Sequence, residues 1–371
     1  MNNPFSKIGI CISFSIMVFV VSCFILDKAI LYFFIHHPVI KNFDFSEDKE
    51  YLSGRTGLRA NYTGSFATSE YNITIKTNSL GFRDDEIVVK KPDNTFRILC
   101  LGDSFTFGLG VNGNSTFSKI FEQKLNNTKT HDRLDYEVVN AGWVASDPKQ
   151  QLFFLKSFGY KFDPDCVVVG FFTGNDVLEI LTNSMDKIES IEFTSNFLTA
   201  LKIRKGAIGF IREIFEKAFP NLYDFAALKL IKIINKTGGR RHMFDYIMQK
   251  DYPQQIEDGW NKALKYLKEI KDFCDMHDFK LFILIIPFQE QLRDIKYNEC
   301  IMVDRPQKIL RDFFMSEDIN FGDLLAHFKN IGSKDIYYIR DGHFNPRGHK
   351  VVADFLFDNF CFLKILPNNS F

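Results

Sequence analysis

A chain of 371 residues, 46% hydrophobic and 25% charged, is long enough for one large folded domain or two smaller ones. Its 46 Lys and Arg balance 46 Asp and Glu, and with no basic excess nothing argues for nucleic acid as a partner. The 42 phenylalanines support a large aromatic core but identify no function.

In chain order, the first feature is Ile8 to Leu26, an uncharged and overwhelmingly apolar run of 19 residues, long enough to span a bilayer. A cleavable signal has a shorter apolar core and a small-x-small site, and no A-x-A site is present here. Val20-Val21-Ser22-Cys23 matches a lipoprotein cleavage box in outline, which leaves lipidation at Cys23 open, yet the apolar run continues through Phe24-Ile25-Leu26. The favoured expectation is an uncleaved signal anchor over residues 1–28. A single-pass attachment then places the rest of the chain outside the cytoplasm.

Residues 29–91 read as a connecting region with a β-hairpin. Tyr71-Asn-Ile-Thr-Ile-Lys-Thr77 alternates as a half-exposed strand does, and Asn78, Ser79 and Gly81 punctuate it. Arg97 to Gly110, RILCLGDSFTFGLG, then opens with an apolar run of buried-strand length and leads through Gly102-Asp103 to Ser104. A helix is predicted from Ser115 to Leu125. A serine at the C-terminal tip of a buried strand sits where open α/β sheets place their ligands. Ser104 therefore reads either as a nucleophile or as a helix-capping residue. Gly108, Gly110 and Gly113 form a G-x-G-x-x-G, but the strand ends near Leu101, so the trio comes too late for a dinucleotide fingerprint.

Tyr136 to Asn140 is the next strand, followed by Cys166 to Phe172, which leads to Asn175. That asparagine is either a turn residue bonded to local backbone or an amide donor facing a reacting carbonyl. From Val177 to about Gly259 no repeating β/α unit is visible. Leu201 to Arg241 carries ten Lys or Arg against three Asp or Glu, which suits helices with a solvated basic face or, as the alternative, a surface lying on anionic lipid. Regular order resumes near Trp260 with a helix, then a buried strand from Phe279 to Ile286, a helix from Pro306 to Phe314, and a short strand and turn at Asn320-Phe-Gly-Asp-Leu-Leu325. A last helix is capped by Asn345 with Pro346 in its first turn. The seven cysteines show no paired spacing and read as small buried hydrophobes. The eight histidines form no H-E-x-x-H or Cys/His cluster, so neither metal nor cofactor is expected.

Three blocks carry a resemblance. Gly102-Asp-Ser-Phe-Thr-Phe-Gly108 resembles the first block of the SGNH (GDSL-type) hydrolases, Gly174-Asn175-Asp176 their third, and Asp341-Gly342-His343-Phe344-Asn345-Pro346 their last. The resemblance spans roughly Thr77 to Phe360, and Thr77 to Glu86 is similar to a segment preceding the first block in membrane-anchored members. It implies a three-layer α/β fold with a central parallel sheet over residues 92–366, interrupted by a helical insertion at about 178–258. It also implies a Ser104–His343–Asp341 triad, with the Ser104 N–H, the Ala145 N–H and the Asn175 amide as oxyanion donors. Relatives carry glycine at the position of Ala145, so Gly142 stands as the alternative. His349 also follows Asp341, but it falls inside the first turns of the last helix, where a positive imidazolium is disfavoured.

The implied activity is serine-dependent hydrolysis of an acyl ester on an acylated small molecule, glycan or lipid. The alternatives are O-acyl transfer to a surface polysaccharide, since the D-x-H spacing also occurs in relatives that acetylate exported polysaccharide, and a catalytically silent carbohydrate-binding protein on the same fold.

Overall fold

The computed structural model describes residues 15, 17–26, 59–68, 70–128, 134–183, 246–292, 299–332, 335–339 and 341–367. The chain divides into two units, Met1–Val39 with Asp186–Arg241, and Ile40–Met185 with His242–Phe371. Of the first unit only residues 15 and 17–26 are described, and 17–26 are helical. Among the described residues no helix is long and apolar enough to cross a membrane. Residues 8–14 and 16 of the expected anchor lie outside the described residues, as does most of the expected helical insertion.

The second unit is built on five parallel strands: β3 (Thr95–Gly102), β4 (Asp135–Asn140), β5 (Cys166–Phe172), β6 (Lys280–Ile286) and β7 (Asn320–Asp323), in the order β4-β3-β5-β6-β7. The apolar runs mark strands buried on both faces, as crossover connections require. Alternate residues of each run enter opposite layers. Leu99, Leu101, Val167, Val169, Ile283 and Ile285 pack on one side; Ile98, Cys100, Cys166, Val168, Phe282 and Leu284 pack on the other.

Helices α3 (Pro148–Ser157), α5 (Gln254–Met276) and α6 (Arg305–Ser316) cover the first face through Leu152, Phe154, Trp260, Leu267, Leu310 and Phe314. Helices α2 (Phe117–Thr128), α7 (Leu324–Asn330) and α8 (Pro346–Phe362) cover the second through Phe117, Phe121, Phe328, Val352 and Phe360. The result is a three-layer α/β unit, with α1 (Ser104–Phe107) and α4 (Asp176–Asn183) at the strands' C-terminal edge. The chain runs from β3 to β4 on one side and returns to β5 on the other. That reversal opens a crevice at the C-terminal ends of β3 and β5, the position where such sheets bind ligands.

Two details differ from the sequence reading. Leu324-Leu325 begins a helix rather than a turn, because the Asp323 side chain accepts from the N–H groups of Leu325 and Ala326 at 2.9 and 3.4 Å. Cys100, Cys166 and Cys274 are buried, as small hydrophobes would be, whereas Cys300 and Cys361 are exposed.

Strands β1 (Thr63–Ala67) and β2 (Asn72–Lys76) form the hairpin, with Ile73 and Ile75 packed into the first core layer and Asn72, Thr74 and Lys76 exposed between them. The segment after it turns on Asn78, whose Oδ1 accepts from Leu80 and Phe82 N–H at 3.0 and 2.9 Å. This delivers Arg83 to the interior at 2% exposure. Its guanidinium lies 4.6 Å from the Phe107 ring centre and donates to the carbonyls of Phe107 at 3.0 Å, of Gly108 at 2.6 Å, and of Val111. Burial lowers its pKa to about 10, which still leaves it charged at neutral pH. One side chain thus satisfies three carbonyls of the loop that follows Ser104. Replacing it strands those acceptors. Arg83→Met is expected to cost about 3 kcal/mol, read as a lower urea midpoint at unchanged m-value; a loss under about 1 kcal/mol would contradict the bracing role.

Candidate active site

Ser104 is the first residue of α1, immediately past β3, and is 6% exposed. Asp103 caps the helical turn, its Oδ1 accepting from Phe105 N–H at 2.9 Å. The Ser104 N–H has no hydrogen-bond partner among the described residues, so it is free to meet an anion at the helix start. Phe105 continues inward and packs against Phe172 and Phe344, with ring centres 4.3 and 4.8 Å away, and forms a floor 5.0 Å below the imidazole of His343.

The structure brings Ser104, His343 and Asp341 together. His343 Nε2 lies 2.8 Å from Ser104 Oγ, and His343 Nδ1 lies 2.6 Å from Asp341 Oδ1. The two-residue spacing is steep for side chains that must meet, and Gly342 makes it possible by turning at φ 84°, in the left-handed region that glycine enters freely. The same turn lets the His343 N–H reach Asp341 Oδ1 at 3.3 Å. Burial alone would raise the Asp341 pKa, but His343 and then Tyr71 outweigh it and hold the carboxyl below its usual value. An ionised acid on Nδ1 fixes the tautomer that leaves Nε2 ready to accept a proton.

His349 is elsewhere. It is fully buried on α8, where its Nδ1 accepts from Phe117 N–H at 3.1 Å and its ring stacks on Phe117. Burial, reinforced by Arg83 and His343, lowers its pKa to about 3, so the ring is neutral.

Gly142 and Ala145, the two candidates for the second oxyanion donor, lie in different surroundings. The Gly142 N–H is used by Asn140 Oδ1 at 3.2 Å, and a Cβ at Gly142 would sit 2.6 Å from Phe107 N. Glycine there serves close packing against α1. Ala145 is exposed, and its N–H has no partner among the described residues. Its loop is tied to the end of β3 by Trp143 N–H and Ser146 Oγ, which reach the Gly102 carbonyl at 3.1 and 2.7 Å. Ala145 takes φ 59°, the conformation glycine would favour.

Asn175 follows β5 at the same sheet edge. Its Nδ2 donates to Glu179 Oε1 at 2.8 Å, a side chain one turn on rather than local backbone, and its Oδ1 is buried without a partner among the described residues. An amide nitrogen has two hydrogens, so one stays free after the bond to Glu179.

Beneath these groups lie four carboxyls that sequence reasoning did not connect: Asp103, Asp147, Asp176 and Glu179. Burial raises Asp103 to about 6, against the pull of Phe105 N–H and His343. It raises Asp176 far above the usual range, helped by Asp103 and Glu179. Glu179 is pushed from 4.5 to about 8 by burial, then by the charges of Asp103 and Asp147. No group of Asp, Glu, His and Cys among the described residues has the arrangement of a metal site.

No family model and no curated protein matches the chain. Among solved structures it is similar to a lipolytic protein of the G-D-S-L family from Desulfitobacterium hafniense, at 10% identity and TM-score 0.38 over 71% of this chain and 98% of that one. It is also similar to the psychrotrophic esterase EstA from Pseudoalteromonas sp., at 13% identity and TM-score 0.39 over 73% and 99%. An α/β hydrolase enzyme from the metagenome of Lake Arreo, Spain, is similar at 12% identity and TM-score 0.43 over 72% and 96%. The functional reading rests on the geometry of the site itself.

Two outcomes follow. Relieving the left-handed alanine outweighs the extra freedom glycine gives the unfolded chain, so Ala145→Gly should stabilise by about 0.5–1 kcal/mol in denaturant melts; a loss of stability would show that the methyl group packs usefully. Glu179 keeps its proton to about pH 8 when folded but releases it near 4.5 when unfolded. The folded state therefore binds the extra proton in that window, and stability falls as pH rises through it. Glu179→Gln, which still accepts from Asn175, should melt progressively higher than the parent from pH 5 to pH 8. Parallel melting curves against pH would refute the proton assignment.

Proposed function

We propose that this chain is a serine-dependent acyl-ester hydrolase. The observation that carries the reading is the unbroken relay from Asp341 Oδ1 through the His343 ring to Ser104 Oγ, at 2.6 and 2.8 Å. At 2.8 Å the Ser104 hydroxyl proton can pass to His343 Nε2, while the Asp341 carboxylate stays ionised and holds the ring.

Ser104 Oγ attacks the acyl carbonyl as its proton moves to His343 Nε2. Asp341 stabilises the imidazolium that results. The carbonyl oxygen becomes an oxyanion beside the N–H groups of Ser104 and Ala145 and the second Nδ2 hydrogen of Asn175. His343 returns the proton to the departing alcohol, leaving an ester on Ser104. Water, activated by the same imidazole, attacks that ester and regenerates the hydroxyl. The substrate class is an O-acylated small molecule, glycan or lipid.

A fluorophosphonate probe should label the wild-type chain on Ser104 and leave Ser104→Ala unlabelled. With p-nitrophenyl acetate as substrate, Asn175→Ala is expected to lower kcat by about 10²–10³ with little change in KM. A raised KM at intact kcat would make Asn175 a ground-state contact, and an unlabelled wild type would remove the hydrolase reading.

A further inference from the structure

The triad's acid is held from a part of the chain 270 residues away. Asp341 Oδ1 is taken by the two N–H groups of His343, and Oδ2 accepts from the Tyr71 hydroxyl at 2.9 Å. A carboxylate turns about a broad, two-fold terminal torsion. A donor on each oxygen stops that rotation. Tyr71 opens the second arm of the hairpin, where its carbonyl accepts from Thr68 N–H at 2.8 Å, and it is 7% exposed. Its ring packs 4.8 Å from that of Tyr338, whose hydroxyl donates to the Gly110 carbonyl at 3.0 Å. The donor therefore has little room to move.

Glu70, one residue earlier, grips the backbone of the same loop. Its Oε1 accepts from Ile339 N–H at 2.9 Å and its Oε2 from Asp341 N–H at 2.8 Å. The hairpin end thus fixes both the main chain and the carboxylate plane of the acid. Burial, then the Asp341 charge, raise the Tyr71 pKa beyond reach, so it acts as a donor throughout the working range.

We propose that Glu70 and Tyr71 are positioning residues that clamp Asp341, making the hairpin part of the catalytic apparatus. This rests on the hydrolase reading above. Tyr71 does more than hold geometry, because its hydrogen bond draws negative charge away from the carboxylate that faces the imidazole. The titratable and charged groups around this pair are Glu70 and Tyr71 from the hairpin, Tyr338 from the acid's loop, Asp103 beside the nucleophile, and neutral His349 on α8. Removing the Tyr71 donor leaves more negative charge facing the ring and favours its protonated form. Freeing the base then takes a higher pH.

The test is the pH profile of kcat/KM for p-nitrophenyl acetate in the full chain, normalised by fluorophosphonate titration of active sites. Tyr71→Phe should lower kcat about tenfold, the worth of one such hydrogen bond, with KM within twofold and the acidic limb moved to higher pH. Glu70→Gln keeps one acceptor but removes a negative charge near the imidazole. Its acidic limb should move to lower pH. A merely structural role would reduce the fraction of titratable sites and leave both limbs in place, which overturns the proposal. If Tyr71→Phe fails to fold, the direction of the Glu70→Gln shift decides alone. An active wild type with unmoved limbs in the variants sinks the clamp only, whereas a wild type that neither labels nor turns over sinks the hydrolase reading and the clamp with it.

Discussion

The contact between His343 Nε2 and Ser104 Oγ joins residues 239 positions apart, and the site exists only where that contact does. Neither partner is held by its own loop alone. Ser104 is set by β3, a central strand with neighbours on both sides, and by the helical turn that Asp103 caps. His343 precedes α8 in a loop where its carbonyl accepts from Tyr338 N–H at 2.8 Å, and the inner face of α8 packs on the same sheet through Val352, Leu356 and Phe360. Phe105 closes the gap between them. It lies next to Ser104 in sequence and beneath the imidazole in space, so apolar packing and the Ser104–His343 contact share one residue.

Around this contact the protein buries charge in two opposite ways. Arg83 enters as a cation and finds three carbonyls, so its desolvation is offset by charge-assisted hydrogen bonds. Asp176 and Glu179, behind the crevice, find few donors, and burial drives both to hold protons instead. Asp341, by contrast, is held ionised, because it faces His343 and Tyr71 as donors. An ionised carboxylate against Nδ1 is what a base at Nε2 needs.

Much of this was legible in the chain. Apolar runs of four to eight residues marked the central strands because strands covered on both faces have no polar side to show. Ser104, Asn175, Asp341 and His343 stood out because short blocks keep their residues at fixed offsets. For His349 burial is a larger reason for a neutral ring than the helix dipole. Other parts left no local signal. Arg83 looked like one charge among several in Arg83-Asp-Asp-Glu86, and only its turn on Asn78 sends it inward. Glu70 and Tyr71 sit in an ordinary polar hairpin, and nothing nearby in sequence hints at a partner at Asp341. The left-handed backbone at Ala145 is likewise invisible in the letter that occupies it. What sequence reading missed is what depends on contacts between distant segments.

The central claim is that Ser104 carries the acyl group during turnover. It is tested most directly by mixing the full chain with p-nitrophenyl acetate, quenching in acid within the first turnover, and locating the adduct by peptide mass spectrometry. The account predicts one acetyl group on Ser104, absent from Ser104→Ala and slow to form in His343→Ala. An acetyl group on another residue, or a burst of nitrophenol with no acylated peptide at Ser104, would contradict it.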